Sequence, residues 1–235
     1  MNAQQQRTKH PTSSRPVVIE AGSLALEGEW CVPPGAPGIV LFAHGSGSSR
    51  HSPRNQFVAR IIQEAGVGTL LFDLLTRDEE ARDLRDGRLR FDIPRLAQRL
   101  LAATRWVGRQ PEGERLGIGY FGSSTGGAAA LVAAARLGPA VDAVVSRGGR
   151  PDLAGDALPR VTAATLLVVG AWDDVVLELN QRADEALRCP HRLAVVPRAT
   201  HLFEEPGALE EVARLAAEWF RGHLKPRNRV RTAAG

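Results

Sequence analysis

The chain has 235 residues and a mass of 25.3 kDa, of which 43% are hydrophobic and 24% charged. That is one domain's length and an ordinary globular mixture. It excludes a disordered, collagen-like or disulfide-scaffold protein, and no uncharged apolar run reaches the roughly 18 residues of a membrane-spanning helix. A formal charge of +4 and a pI near 9.8 invite a nucleic-acid partner. However, Arg7, Lys9, Lys225, Arg227, Arg229 and Arg231 lie in two terminal stretches that hold no acid, so the body between them is slightly acidic. The expectation is a single domain over 15–224, between a disordered tail at 1–14 and a basic tail at 225–235. Neither nucleic acid nor membrane is expected as a partner, and the chain is expected to be a monomer or homodimer. The first residues hold no apolar h-region. Cys31 and Cys189 stand apart, without metal-ligand spacing. A cytoplasmic protein with two reduced structural thiols and no metal follows as the expectation.

Along the body, short apolar runs alternate with helical patterns. Val17–Glu20 and Leu24–Cys31 read as strands around the turn Ala21-Gly22-Ser23. Gly38–Ala43 is continuously apolar, as a strand buried on both faces should be. Arg54–Ala65 has helical spacing through Phe57, Val58, Ile61 and Ile62, and Val67–Leu75 is the next buried strand. Thr76–Asp92 is rich in both charges and reads as a small cap segment. Arg95–Gln110 is an amphipathic helix with Pro94 at its start. The series continues with strand Leu116–Phe121, helix Gly126–Leu137, strand Val141–Ser146, strand Thr165–Gly170, helix Val176–Leu187, strand Leu193–Val196 and helix Gly207–Leu224. Such alternation predicts an α/β protein with a mostly parallel sheet covered on both faces, its reactive groups at the carboxyl ends of the strands.

Three reactive residues follow strands in that way. Gly122-Ser123-Ser124-Thr125-Gly126 is G-x-S-x-G between a buried strand and an Ala-rich helix, the context of a nucleophile elbow. The small flanking residues suit a strained turn that lifts the Ser124 hydroxyl. An overlapping G-x-G-x-x-G at Gly117–Gly122 coincides with the strand itself, so it does not fit a dinucleotide site. His201 lies between the last strand and the last helix and is the best-placed general base among six histidines. Asp173 follows Thr165–Gly170, where a carboxylate could hold the histidine's tautomer. His44-Gly45-Ser46-Gly47-Ser48-Ser49-Arg50 follows another strand. It reads as an oxyanion loop, with the backbone N–H groups of Ser46 and Thr125 as donors and His44 as an orienting group. Arg147 and Arg50 are candidates to bind an anionic substrate group, and Arg150 and Arg54 lie close to them in sequence. The competing reading is that these arginines pair with acids such as Asp73 or Asp152.

Together, FAHGSGSSRHSPRN, GYFGSSTGGAAAL, VVSRGGRPDLAG, the Gly170–Val176 acid loop and ATHLFEEPGALEEV resemble the α/β-hydrolase superfamily, and more closely dienelactone hydrolase-like proteins. The resemblance covers about Val17 to Leu224 and shares the chain order Ser124, Asp173, His201. It implies an eight-stranded sheet with one early antiparallel strand and a two-step acyl transfer that needs no cofactor. Dienelactone hydrolases proper carry a cysteine nucleophile where this chain has Ser124, which directs the expectation to a serine esterase acting on a small-molecule ester. Lactone or thioester hydrolysis on the same triad, and a non-catalytic binding module, are the alternatives.

Overall fold

The computed structural model describes residues 14–227. Its strands are β1 (Arg15–Ala21), β2 (Leu24–Cys31), β3 (Gly38–Ala43), β4 (Gly68–Phe72), β5 (Gly117–Ser123), β6 (Ala143–Arg147), β7 (Ala164–Gly170) and β8 (His191–Val196). They form one sheet in the order β1-β2-β4-β3-β5-β6-β7-β8. β2 is antiparallel to both of its neighbours, and the strands from β4 to β8 run parallel. Every residue of β3 is buried, as a strand with helices on both faces requires. β1, at the edge, alternates buried and exposed positions instead.

The helices are α1 (Pro53–Glu64), α2 (Arg77–Asp86), α3 (Ile93–Gly108), α4 (Thr125–Leu137), α5 (Asp174–Ala186) and α6 (Ala208–His223). The period-two alternation of the strands assigns them to two layers. Val40 and Phe42 of β3 pack with Val58, Ile62 and Phe220 beneath α1 and α6. Ile39 and Leu41 face Leu100, Ala103 and Leu131 beneath α3 and α4. Where α4 meets the sheet, a Cβ on Gly126 would lie 2.1 Å from the Ala43 carbonyl oxygen. Only glycine permits that approach, so the small residues of G-x-S-x-G serve packing as well as the turn.

The structure departs from the sequence reading in four places. The strand expected over Val67–Leu75 ends at Phe72, because the Leu74 N–H donates to His44 Nε2 rather than to a ladder partner. Thr76–Asp92 contains a regular helix, α2, opened by a capping box of Thr76 and Glu79. A 3₁₀ turn at Leu89–Phe91 follows it. Asp83 accepts from the Leu89 and Arg90 N–H groups and pairs with the Arg90 guanidinium at 2.6 Å. Because α2 is charged on nearly every side, no apolar stripe announces it. A 3₁₀ segment at Pro151–Arg160 was likewise unanticipated.

The fourth departure is at the C-terminus, where Lys225 is exposed but Arg227 is tied back to the body. The Arg227 N–H donates to the Arg115 carbonyl at 2.8 Å, and its guanidinium donates to the Ala140 carbonyl. Arg7, Lys9, Arg229 and Arg231 lie outside the described residues. Among the described residues, no helix is long and apolar enough to cross a membrane, and Cys31 and Cys189 are free and buried.

Candidate active site

The chain leaves β3 toward β4 on one side and later returns to β5 on the other. The loops after β3 and β5 therefore diverge from adjacent strand ends, and a crevice opens between them. Into it the β5–α4 turn projects Ser124, whose backbone has φ 51 and ψ −121, a conformation that costs a non-glycine residue about 1–3 kcal/mol. The turn is held by its neighbours: the Ser124 N–H donates to the Arg147 carbonyl at 3.3 Å, and the Ser124 carbonyl accepts from Arg150 at 3.1 Å and Gly127 at 3.0 Å. Gly45 passes directly over it. A Cβ there would stand 3.3 Å from Ser124 Cβ and 3.2 Å from the Ser123 carbonyl oxygen.

The ends of β7 and β8 supply the other two groups. Trp172 N–H donates to the Ala199 carbonyl at 2.9 Å and ties the two loops together. His201 Nδ1 then lies 2.7 Å from Asp173 Oδ2. Facing a carboxylate, Nδ1 carries the proton, which leaves the lone pair on Nε2 for a proton taken from a nucleophile. Gly148 backs the ring, since a Cβ there would be 3.4 Å from Nδ1. Ser124 and His201 share a pocket of about 180 Å³ with Ser46, Asn55, Ser123 and Arg147. Among the described residues, no hydrogen bond joins Ser124 to His201 directly.

Ser46 and Thr125 come together at this mouth, their hydroxyls 3.1 Å apart. Neither backbone N–H has an acceptor among the described residues, and Thr125 opens α4, whose N-terminus favours negative charge. His44 donates from Nδ1 to the Gly45 carbonyl at 3.0 Å and accepts the Leu74 N–H at Nε2, also at 3.0 Å. Acceptance at Nε2 requires a neutral ring, and burial holds its pKa below the ordinary histidine value.

The arginines separate. Arg50 turns away from the pocket. Its N–H and guanidinium bind Asp73, and Nη2 donates to Glu27 Oε2 at 2.6 Å. Its assignment to substrate binding is therefore corrected: acids that follow it into the same corner of the sheet take up all of its charge. Arg150 pairs with Asp152 at 2.7 Å. Arg147 has no acid. It is 8% exposed, donates from Nε to Ser123 Oγ at 3.3 Å, and lies over the Phe203 ring at 5.8 Å. Its Nη1 is buried without a partner. Burial, and then the neighbouring Arg54 charge, push its pKa down to about 10. Sequence reasoning missed Asn55, Ser123 and Phe203. Only Ser123, inside the elbow motif, carried any local signal.

The family profile "Dienelactone hydrolase family" matches residues 26–223. The crystal structure of a dienelactone hydrolase from Anabaena variabilis is 56% identical, with a TM-score of 0.90 over 92% of this chain and 100% of that one. Est1E from Butyrivibrio proteoclasticus shares the fold at 17% identity and a TM-score of 0.74, over 89% of this chain and 98% of that one. A Mycobacterium tuberculosis protein named "Putative phosphoribosyl transferase" is 56% identical over 214 residues, 91% of this chain but 47% of that protein. The chain thus spans about half the length of that curated relative. With a family profile covering most of its sheet and every loop of the crevice, the chain belongs to the dienelactone hydrolase family.

Proposed function

We propose that the chain is a serine hydrolase that cleaves a small carboxylic ester through an acyl-enzyme. The observation that carries this reading is the 2.7 Å bond from His201 Nδ1 to Asp173, set at one mouth with a serine in an elbow conformation. Ser124 Oγ attacks the ester carbonyl as His201 Nε2 takes its proton. The negative oxygen of the tetrahedral intermediate accepts from the Ser46 and Thr125 N–H groups. His201 then gives the proton to the departing alcohol. Water, deprotonated by the same nitrogen, cleaves the acyl-enzyme and restores Ser124. Membership of a hydrolase family supports the reading. The transferase name belongs to a protein about twice as long, and we attribute it to the part of that protein that this chain does not span. Two reduced, buried thiols are consistent with a cytoplasmic location.

Fluorophosphonate labelling with adduct mapping tests this. A stoichiometric adduct on Ser124, lost in His201→Ala, is expected. A folded protein that takes no label and turns over no p-nitrophenyl ester would overturn the assignment in favour of a binding module.

A further inference from the structure

Arg147 is a buried cation without a counter-ion among the described residues. The β5–β6 register sets it beside Ser123, the residue preceding the proposed nucleophile. Both side chains therefore point to the same face of the sheet, toward the start of α1. There Arg54 brings a second guanidinium, whose Nε is also buried without a partner. Its Nη1 donates to Glu204 at 2.9 Å, an acid whose side chain is 63% exposed. The first turn of α1 contains no acidic residue. Ser52, Arg54, Asn55, Ser124, Arg147 and His201 all line the one pocket. Desolvating a guanidinium is costly unless something negative repays it. Arg50 and Arg150, in the neighbouring loops, show that this chain can supply acids where a charge is structural.

From this geometry we infer that Arg147, with Arg54 and the N-terminus of α1, binds an oxyanion group, a carboxylate or a phosphate, carried by the ester that Ser124 attacks. The inference rests on the esterase reading for its chemistry. Its binding half stands on the Arg147 guanidinium, which has no acid among the described residues, and on Arg54 beside it. The pocket's lining is largely polar, with Ser46, Ser52, Asn55 and Ser123 beside the two arginines, which suits an anionic group better than a fatty acyl chain. Phe203 lies against the Arg147 guanidinium and Ser123 accepts from its Nε, which leaves Nη1 and Nη2 without a partner among the described residues for a contact with the anion. Phe203 itself has φ 56, in the left-handed region, so the segment after His201 is bent to hold the ring there.

The test compares kcat/KM for mono-p-nitrophenyl succinate and p-nitrophenyl butyrate at fixed ionic strength, in the wild-type chain, R147M and R147K. It also measures competition by inorganic phosphate and by succinate against the neutral ester. Expected is at least a tenfold fall in the anionic-to-neutral selectivity ratio in R147M, with partial recovery in R147K, which keeps charge but not the fork. Succinate competition that depends on Arg147 assigns a carboxylate, and phosphate competition that depends on it assigns a phosphate. A selectivity ratio within twofold of wild type in both variants, with no competition by either anion, overturns the inference. Thermal shifts of S124A and S124A/R147M with each anion read binding without turnover. If no ester is cleaved but anions still stabilise S124A through Arg147, the esterase reading fails and the anion site stands. If esters are cleaved and neither anion shifts S124A, the reverse holds.

Discussion

Arg50 lies in the loop after β3 and Arg147 is the last residue of β6, both beside the same crevice, and the sequence offers them alike as candidates. Arg50 reaches a corner already holding Asp73 and Glu27. Burial alone would lower its pKa, but the two carboxylates outweigh burial and hold it above the ordinary arginine value. Arg147 meets a hydroxyl, an aromatic face and a second arginine, and its pKa falls. The difference separates two regions of one loop cluster. On the Arg50 side, charged groups have partners and the structure is scaffold; His201 and Asp173 are partnered as well, but at the mouth of the pocket. On the Ser124–Arg147 side, groups are held in place but left unsatisfied, which is the state expected of atoms that meet a substrate.

The largest effect should come from breaking a partnered group that the chemistry depends on. Asp173→Asn should lower kcat by about 10⁴-fold through the wrong histidine tautomer, read by ester turnover with the melting temperature little changed. A loss under tenfold would mean that Asp173 does not orient His201. Arg50→Met strikes a partnered group on the scaffold side. It should cost about 2 kcal/mol of stability, between the values for exposed and buried pairs, because Asp73 is left partly buried with only the backbone N–H of position 50. Urea unfolding measures this, and the ratio of anionic to neutral ester hydrolysis should stay at wild type. A change in that ratio would erase the distinction between the two arginines.

His44 makes the scaffold side sensitive to pH. Above about pH 6.5 it is neutral in both folded and unfolded chains. Below that, the unfolded chain takes a proton that the buried ring refuses, so the unfolded state binds more protons and stability falls as pH drops toward the folded pKa. The slope attributable to this group should approach about 1.4 kcal/mol per pH unit at most. Urea midpoints at pH 7.5 and 5.5 should show it in wild type, and the His44→Gln difference between the two pH values should be smaller. The smallest effect is expected from Glu204→Gln, an exposed partner of Arg54. Stability should change by less than about 0.5 kcal/mol, while inorganic phosphate should compete slightly better against the neutral ester, because Arg54 keeps more of its charge for the pocket.

The helices and strands with strong periodicity were legible within one or two residues at most ends. For example, Arg54–Ala65 in the reading is Pro53–Glu64 in the structure. α2 was not, because a helix of RDEEARDLRD is fixed by a capping box and ion pairs rather than by an apolar stripe. Ser124, Asp173 and His201 could be singled out because each follows its own strand, a local relation that a linear pattern carries. The meeting of His201 with Asp173 across 28 positions, and of Ser46 with Thr125 across 79, is a property of the sheet.

By itself, the sequence determined the alternation that builds a covered parallel sheet, the strand–turn–helix around Ser124 and the order of the reactive groups, because these depend on neighbours a few residues apart. Tertiary structure alone decided which arginine keeps its charge for a ligand. Arg50 finds Asp73 and Glu27, each 23 positions away, only because β2, β4 and the loop after β3 converge. Arg147 finds no acid among the described residues because the β5–β6 register turns it toward Ser123 and the start of α1. Ion pairing is short-ranged in space and indifferent to separation along the chain, so only the fold could tell the two apart.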